Sequence, residues 1–398
     1  MGVYLRLMRQ VFTQIPCYAG DVSGAASALY ELGGMVVIHD PSGCNSTFNT
    51  HDETRWADRE SLIFISGLND MDAIVGNDEK FVDDVVEAAQ NLQPRFIALC
   101  NSPIPYIIGT DFEGLSEMIE DQTGVPVFYI PTNGLHDYVD GASRAFEAVA
   151  KVLVADSDAV KRPRSVNILG LTPLDFDASG SAASLERKLI EVGWQIQSNW
   201  ALDCDPDQIR RAGGAAVNLV VSSTGWRAAK VLQDRFGTPA VAGCPVGAFS
   251  ESVFEALECS ARDAQIRLPY RDQIQSSKAT EGQIAVIGEA VQAGSIAAAL
   301  TATQEKPVRV IVPTEGADAL VPNASMRIKG EAEIKASLDG ARIVVADPLY
   351  APLAPKGAQQ IPLHHFAFSG RIGFDQAVNL FDDQAFSNLE KEIEDGNT

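Results

Sequence analysis

Short apolar runs rich in Val and Ile alternate along the chain with longer segments whose apolar positions recur at helical period. Met35–Asp40, Ser61–Ser66, Arg95–Leu99 and Val125–Pro131 form a first series of runs, with helical patterns at Ala25–Leu32, Asp78–Asn91 and Phe112–Thr123. A polar, basic stretch near Asp156–Arg164 separates them from a second series: Ser165–Gly170, Trp194–Ala201, Ala216–Ser222 and Pro239–Ala242. Helices Ala182–Val192 and Trp226–Phe236 join those runs. Beyond polar Arg267–Glu281 lies a third series, Gln283–Gly288, Pro307–Pro313, Ala341–Asp347 and Gln360–His364, with helices Ser295–Thr303 and Lys329–Leu338. Apolar runs joined by helix-length segments predict parallel sheets with βαβ crossovers. The expected fold is α/β, three doubly wound, Rossmann-like domains at residues 1–160, 161–281 and 282–398. Sites in such folds form at the carboxyl ends of strands. Those ends carry His39 and Cys44, Cys100, Ser222–Gly225, Cys244 and His364–His365.

Composition narrows the function. The 398 residues, 46% hydrophobic, suffice for two or three packed domains. No apolar run is long enough to span a bilayer, and the stretch before Cys17 has no apolar leader core. A cytoplasmic protein without membrane contact is expected. A net charge of −22 argues against nucleic-acid binding. It reads as a solvated acidic surface or as a face that steers a complementary partner. The six cysteines are irregularly spaced and include no Cys-x-x-Cys pair, which excludes a disulfide framework, a zinc ribbon and a thioredoxin motif. No glycine-rich dinucleotide turn, Walker A segment or His-Glu-x-x-His occurs, so nucleotide hydrolysis and zinc-protease chemistry have little support. Gly288-Glu289-Ala290 reads as an ordinary βα turn, with anion binding at the helix N-terminus as the alternative.

Cys17 and Cys44 lie 27 positions apart in small-residue turns, the first before Gly20 and Gly24, the second after Pro41 and Gly43. Thiolates in glycine-lined turns suit iron–sulfur ligation; buried structural cysteine is the alternative. Cys100, at a strand end, is a weaker third candidate. Cys204, Cys244 and Cys259 read mainly as structural. His364-His365 reads either as a metal- or proton-handling pair or as a histidine satisfying a buried carbonyl at a domain interface. Asn49–Trp56 reads as a surface loop or, because Trp and Arg favour interfaces, as a subunit contact.

Taken together, these segments resemble the nitrogenase component 1 superfamily over nearly the whole chain. Cys17-Tyr-Ala-Gly20 and His39-Asp-Pro-Ser-Gly-Cys44 are similar to its first two cluster-ligand segments. Asp72-Ala-Ile-Val-Gly-Asn-Asp-Glu-Lys80 resembles its glycine turn before a helix, and Ile107-Ile-Gly-Thr-Asp111 its Ile-Gly-Asp-Asp turn. The family's third cysteine falls where Pro103 stands, and Cys100 is three residues early. Either the loop is remodelled so that Cys100 reaches the cluster, or this subunit supplies two ligands. In the second case the partner, Asp21 or another group completes the shell. Where cofactor-holding α subunits carry a strand-end Cys, this chain has Ser222 and Ser223. His364-His365-Phe-Ala-Phe-Ser-Gly370 and Pro239-Ala-Val-Ala-Gly-Cys244 resemble β-type segments.

The resemblance implies a β-like subunit of a nitrogenase-like reductase, with residues 1–160 as its cluster-binding domain. It implies an iron–sulfur cluster, [8Fe-7S] or [4Fe-4S], shared with an α-type partner in an α2β2 heterotetramer. Cys17, Cys44 and Cys100 are the implied metal ligands, and Gly20 and Gly43 line the cluster. An ATP-dependent iron-protein reductase would supply electrons, which pass to the α partner's active site. Chain length fits a methylthio-alkane reductase β subunit first and a tetrapyrrole reductase subunit second. A cofactor-assembly scaffold and a cluster-free binding module are the other readings.

Overall fold

A computed structural model describes residues 17–41, 43–156, 160–176, 180–274, 283–304, 308–322, 326–328 and 330–395. The readings of residues 1–16, and of parts of the two polar stretches, lie outside the described residues. Three wholly parallel sheets form, in the orders β2-β1-β3-β4, β6-β5-β7-β8 and β11-β10-β9-β12-β13. The first holds β1 (Met35–Ile38), β2 (Leu62–Ile65), β3 (Ile97–Cys100) and β4 (Val127–Ile130). The second holds β5 (Ser165–Leu171), β6 (Gln195–Ala201), β7 (Val217–Val220) and β8 (Ala240–Ala242). The third holds β9 (Ile284–Ile287), β10 (Val308–Val312), β11 (Met326–Arg327), β12 (Ile343–Ala346) and β13 (Gln359–Pro362). Central strands β1, β3 and β9 are buried along their whole length, as strands covered by helices on both faces must be. The expected fold class is therefore the observed one.

The two faces of the first sheet have separate cores. Phe81, Val85, Phe112 and Ile119, from helices Asp78–Leu92 and Phe112–Thr123, cover one face. Helices Asp21–Leu29 and Tyr138–Val152 cover the other and continue into the core of the second domain. These two helices touch through glycine. A Cβ on Gly24 would lie 2.1 Å from the Tyr138 carbonyl oxygen, and one on Gly141 1.8 Å from that of Asp21. The bulky neighbour that Gly24 admits is thus a helix backbone.

Helix Asp21–Leu29 begins four residues before the expected Ala25, and helix Ala290–Gln304 five before the expected Ser295. Helices Tyr138–Val152, Ser250–Asp263 and Asp383–Asp395 were not predicted, nor were the short helices Asp70–Val75 and Pro103–Ile108, which end on left-handed glycines, Gly76 at φ 71° and Gly109 at φ 78°. The C-terminal helix Asp383–Asp395 returns to the second domain. There Phe381 stacks on Phe176 at 5.2 Å, and Asp383 pairs with Lys188.

Arg55, which with Trp56 suggested a subunit contact for Asn49–Trp56, is instead buried within the chain. Its side chain is 4% exposed and bonds Glu53 at 2.6 Å, Glu31 at 2.9 Å and the Ser27 carbonyl at 2.8 Å. It also donates to the Ala201 carbonyl of the second domain at 3.2 Å. Trp56 remains exposed.

Candidate functional site

The segments carrying Cys17, Cys44 and Cys100 meet at the carboxyl edge of the first sheet. Ile38 pairs with Cys100 in register, and the His39 amide donates to the Cys100 carbonyl at 3.0 Å. Cys44 opens the six-residue 3-10 helix Cys44–Asn49 that follows β1. Asp21, four residues after Cys17, is buried, and its carboxylate accepts from the Asn133 and Gly134 amides at 2.8 and 2.9 Å, just beyond β4. The segments beginning at Cys17, Cys44 and Cys100 thus end at one place, through backbone topology.

Their side chains differ. Cys17 is half-buried against the third domain. Its thiol donates to the Ala367 carbonyl at 3.3 Å, and the Tyr18 and Ala19 amides bond the same oxygen at 3.0 and 2.9 Å. Burial, reinforced by Asp137, raises the Cys17 thiol pKa well above its ordinary value. Cys100 is fully enclosed in the apolar core, and burial, then Asp21, pushes its pKa up as well. Among the described residues, no three His, Cys, Asp or Glu side chains form a metal-holding group. Cys17, Cys100 and Asp21 are therefore not a preassembled shell within this chain. A Cβ on Gly43 would meet nothing within 4 Å, and one on Gly20 only the His136 carbonyl at 3.7 Å. The chain's own packing requires neither glycine.

His39 lies between Phe81 and Phe112, with ring centroids at 4.4 and 5.9 Å. Its Nδ1 is 2.7 Å from Ser66 Oγ, and burial pushes its pKa down to about 4. It is a neutral core histidine. Cys244 is buried too, its thiol donating to the Val221 carbonyl at 3.0 Å.

The carboxyl ends of all three sheets face a buried polar junction. Asp175, beyond β5, accepts from Tyr138 Oη at 2.5 Å, Ser222 Oγ at 2.7 Å and Thr172 Oγ1 at 3.0 Å. His365, beyond β13, sets Nε2 3.3 Å from Asp175 Oδ1 and stacks on Phe368 at 4.2 Å. The histidine at the domain interface thus faces a carboxylate, where the sequence suggested a carbonyl. Glu289, beyond β9, is also buried. It accepts from the Ser223 amide at 2.9 Å, and from the Val291 and Gln292 amides at 3.1 Å each. The helix N-terminus after Gly288 therefore holds the chain's own carboxylate. Burial, with Asp175 adding to it, pushes the Glu289 pKa up to about 7.

Beside this junction a cleft of about 510 Å³ opens between the domains. His136, Asp140 and Ser143 reach it from the first, Ser223, Trp226, Arg227 and Lys230 from the second, and Glu315 and Arg327 from the third. Nothing local in the sequence marks these residues. Only the strand-end position of Ser222–Gly225 points toward them. On the outer surface, helices Asp70–Val75 and Pro103–Ile108 present Met71, Ile74, Val75 and Ile107 to solvent, with Ile74 81% and Ile107 79% exposed. Among the described residues no helix is long and apolar enough to cross a membrane.

Comparison with known proteins agrees with this architecture. The solved structure "Nitrogenase Cp1 at pH 6.5" superposes with a TM-score of 0.69 over 98% of this chain and 93% of that one, at 14% identity. The nitrogenase iron-molybdenum cofactor biosynthesis protein NifE of Klebsiella pneumoniae is 24% identical over 229 residues, 54% of this chain and 50% of the relative. One subunit of the light-independent protochlorophyllide reductase of Bradyrhizobium sp. (strain BTAi1 / ATCC BAA-1182) is 27% identical over 260 residues, 59% of this chain and 49% of the relative. The chain spans about half the length of these curated relatives. The model of nitrogenase component 1 type oxidoreductases matches residues 21–347, which include all three sheets through β12. With three parallel-sheet domains meeting at one buried junction, this chain belongs to the nitrogenase component 1 type oxidoreductase family.

Proposed function

We propose that this chain is the β-like, electron-relaying subunit of a nitrogenase-like oxidoreductase complex, with residues 1–160, 161–281 and 282–398 as its domains. The observation that carries the reading is the meeting of the Cys17, Cys44 and Cys100 segments at the carboxyl edge of the first sheet. Cys17 and Cys44 are the proposed iron–sulfur ligands, with Gly20 and Gly43 beside them and an α-type partner in an α2β2 assembly completing the shell. Cys100 is the third candidate, and its enclosure means that it reaches iron only if the turn toward Gly109 rearranges. A cluster there accepts and releases single electrons at a potential set by burial and hydrogen bonds. The exposed apolar side chains Met71, Ile74, Val75 and Ile107, on the short helices that follow β2 and β3, are assigned to an ATP-dependent iron-protein reductase. Exposed large apolar side chains mark interaction sites, and these follow strands of the first sheet.

Methylthio-alkanes, cleaved reductively at carbon–sulfur, are the first substrate candidate and tetrapyrroles the second. The resemblance of the whole chain is the support for both. A non-catalytic cofactor-assembly scaffold is the second reading, favoured by the similarity to NifE.

The test is anaerobic purification with the co-purifying partner, followed by iron analysis and visible spectroscopy of Cys17→Ala, Cys44→Ala and Cys100→Ala. Loss of iron in the first two supports the ligand assignment; unchanged iron in both sinks it. The Cys100 variant decides that residue's membership. Reductase- and ATP-dependent release of methanethiol from a methylthio-alkane separates enzyme from scaffold.

A further inference from the structure

We propose that the turn closing β6, Ala201–Cys204, is a strained conformational latch, held shut by the first domain and released when that grip is lost. Among the described residues, five other than glycine have a positive φ. Four of them, Gln93, Arg164, Asp203 and Ala264, lie at 49° to 58°, the ordinary left-handed value. Ala201 stands apart at φ 97°, where a side chain crowds its own backbone. It is fully buried and ends β6 opposite Leu171, after a register shift between Ile168 and Leu171. Such a conformation persists only where the surroundings over-determine it.

Those surroundings come from the other domain. Arg55 Nη1 donates to the Ala201 carbonyl at 3.2 Å, Arg59 pairs with Asp203, and Arg95 pairs with Asp207 at 2.6 Å. Three arginines of the first domain thus grip one short stretch of the second. Arg55 is itself locked by Glu31, Glu53 and Ser27. The second domain's own bonds here include one from Asn199 Nδ2 to the Leu202 carbonyl at 2.7 Å and a long one from the Leu202 amide to Leu171 at 3.3 Å. Residues 50–59, which carry Arg55 and Arg59, form no helix or strand and continue directly from the helix that Cys44 opens. A displacement of that helix is therefore passed to the end of β6 through the two arginines. Cys204 is a built-in reporter. Burial, then Glu31, push its thiol pKa up to about 12, so it is unreactive while the latch is closed. The inference is independent of the electron-relay reading, because it uses no proposed ligand and is read out without iron.

The test is a mutant cycle on the full chain, with any co-purifying partner. Glycine adopts φ 97° without strain. Ala201→Gly should therefore raise the melting temperature by about 1–2 °C in the wild-type background. In Arg55→Met the turn has already relaxed, and Ala201→Gly should lower the melting temperature, because only the entropic cost of glycine remains. Site-resolved alkylation with iodoacetamide reads the turn directly. Cys204 should label about tenfold faster or more in Arg55→Met. It should label more slowly than wild type in Ala201→Gly, where the closed latch no longer carries strain. Cys259, on helix Ser250–Asp263, should keep one rate throughout. If Arg55→Met does not fold, the triple variant with Glu31→Gln and Glu53→Gln takes its place, and the labelling of Ala201→Gly stands without either. An equal effect of Ala201→Gly on melting in both backgrounds, or faster labelling of Cys204 in Ala201→Gly, overturns the proposal.

Discussion

Tyr138 of the first domain donates its hydroxyl to Asp175 of the second at 2.5 Å, and both side chains are buried. Asp175 also takes Ser222 and Thr172, and its backbone carbonyl accepts from Gln292 of the third domain at 2.9 Å. One carboxylate-bearing residue therefore ties all three domains. Tyr138→Phe removes a single donor and leaves the ring's packing intact. Equilibrium denaturation should show a loss of about 1–2 kcal/mol with an unchanged slope against denaturant.

Glu289 makes stability fall as pH rises. Its folded pKa, about 7, lies above the ordinary value of 4.5, because burial and then Asp175 disfavour the charge. Between those two values the native state holds more protons than the unfolded chain, so raising pH destabilises it. The contribution is fully present below about 4.5 and lost as pH passes about 7. Glu289→Gln should flatten this slope in unfolding free energy measured from about pH 5 to 8, and an undiminished slope would remove Glu289 as its cause.

Arg55 stands between two buried carboxylates, with Glu31 and Glu53 5% and 1% exposed. Removing the cation strands Glu53 and leaves Glu31 to Arg59 alone, at 2.9 Å. Arg55→Met should destabilise the chain by about 3–5 kcal/mol, as expected for breaking a buried pair. Thermal unfolding of Arg55→Met beside the triple variant with Glu31→Gln and Glu53→Gln checks it, since the triple variant leaves no unpaired charge and should regain part of the loss.

Gly24 and Gly141 set how closely helices Asp21–Leu29 and Tyr138–Val152 approach. An added Cβ at either meets backbone atoms that no rotamer change can move aside. Gly24→Ala should cost about 3 kcal/mol or more, whereas Gly20→Ala, with its nearest contact at 3.7 Å, should cost far less. Comparing their melting temperatures separates a packing requirement from a turn preference.

Ile74→Asp and Ile107→Asp bear on the assigned reductase surface. These exposed side chains contribute little to the core, so stability and iron content should hold while reductase-dependent electron uptake falls severalfold. Stopped-flow reduction of the complex reads this directly.

The sheets were legible because β1, β3 and β9 bury both faces, and runs such as Met-Val-Val-Ile have no polar face to show. Helices Asp70–Val75 and Pro103–Ile108 were not, because their apolar residues point to solvent and no amphipathic period forms. At the candidate site, the strand-end positions of Cys44, Cys100 and His365 could be read from alternation alone. Their partners could not. Glu31 lies 24 residues before Arg55, and Arg327 shares a cleft with His136 from a different domain. Pairings of that kind are set by how the domains are joined, which no local pattern encodes.

The return of Asp383–Asp395 to the second domain has a consequence for how the molecule comes apart. Phe381 on Phe176 and Asp383 at Lys188 join the last residues to a domain whose own strands end near Ala242. The second domain completes its surface with chain made after the third, so the polypeptide is closed like a buckled strap. Ribosomal order leaves that domain without this cover until the strands of the third have been made. A cut near residue 376 would uncover Phe176, some two hundred residues upstream, before it disturbed the third sheet.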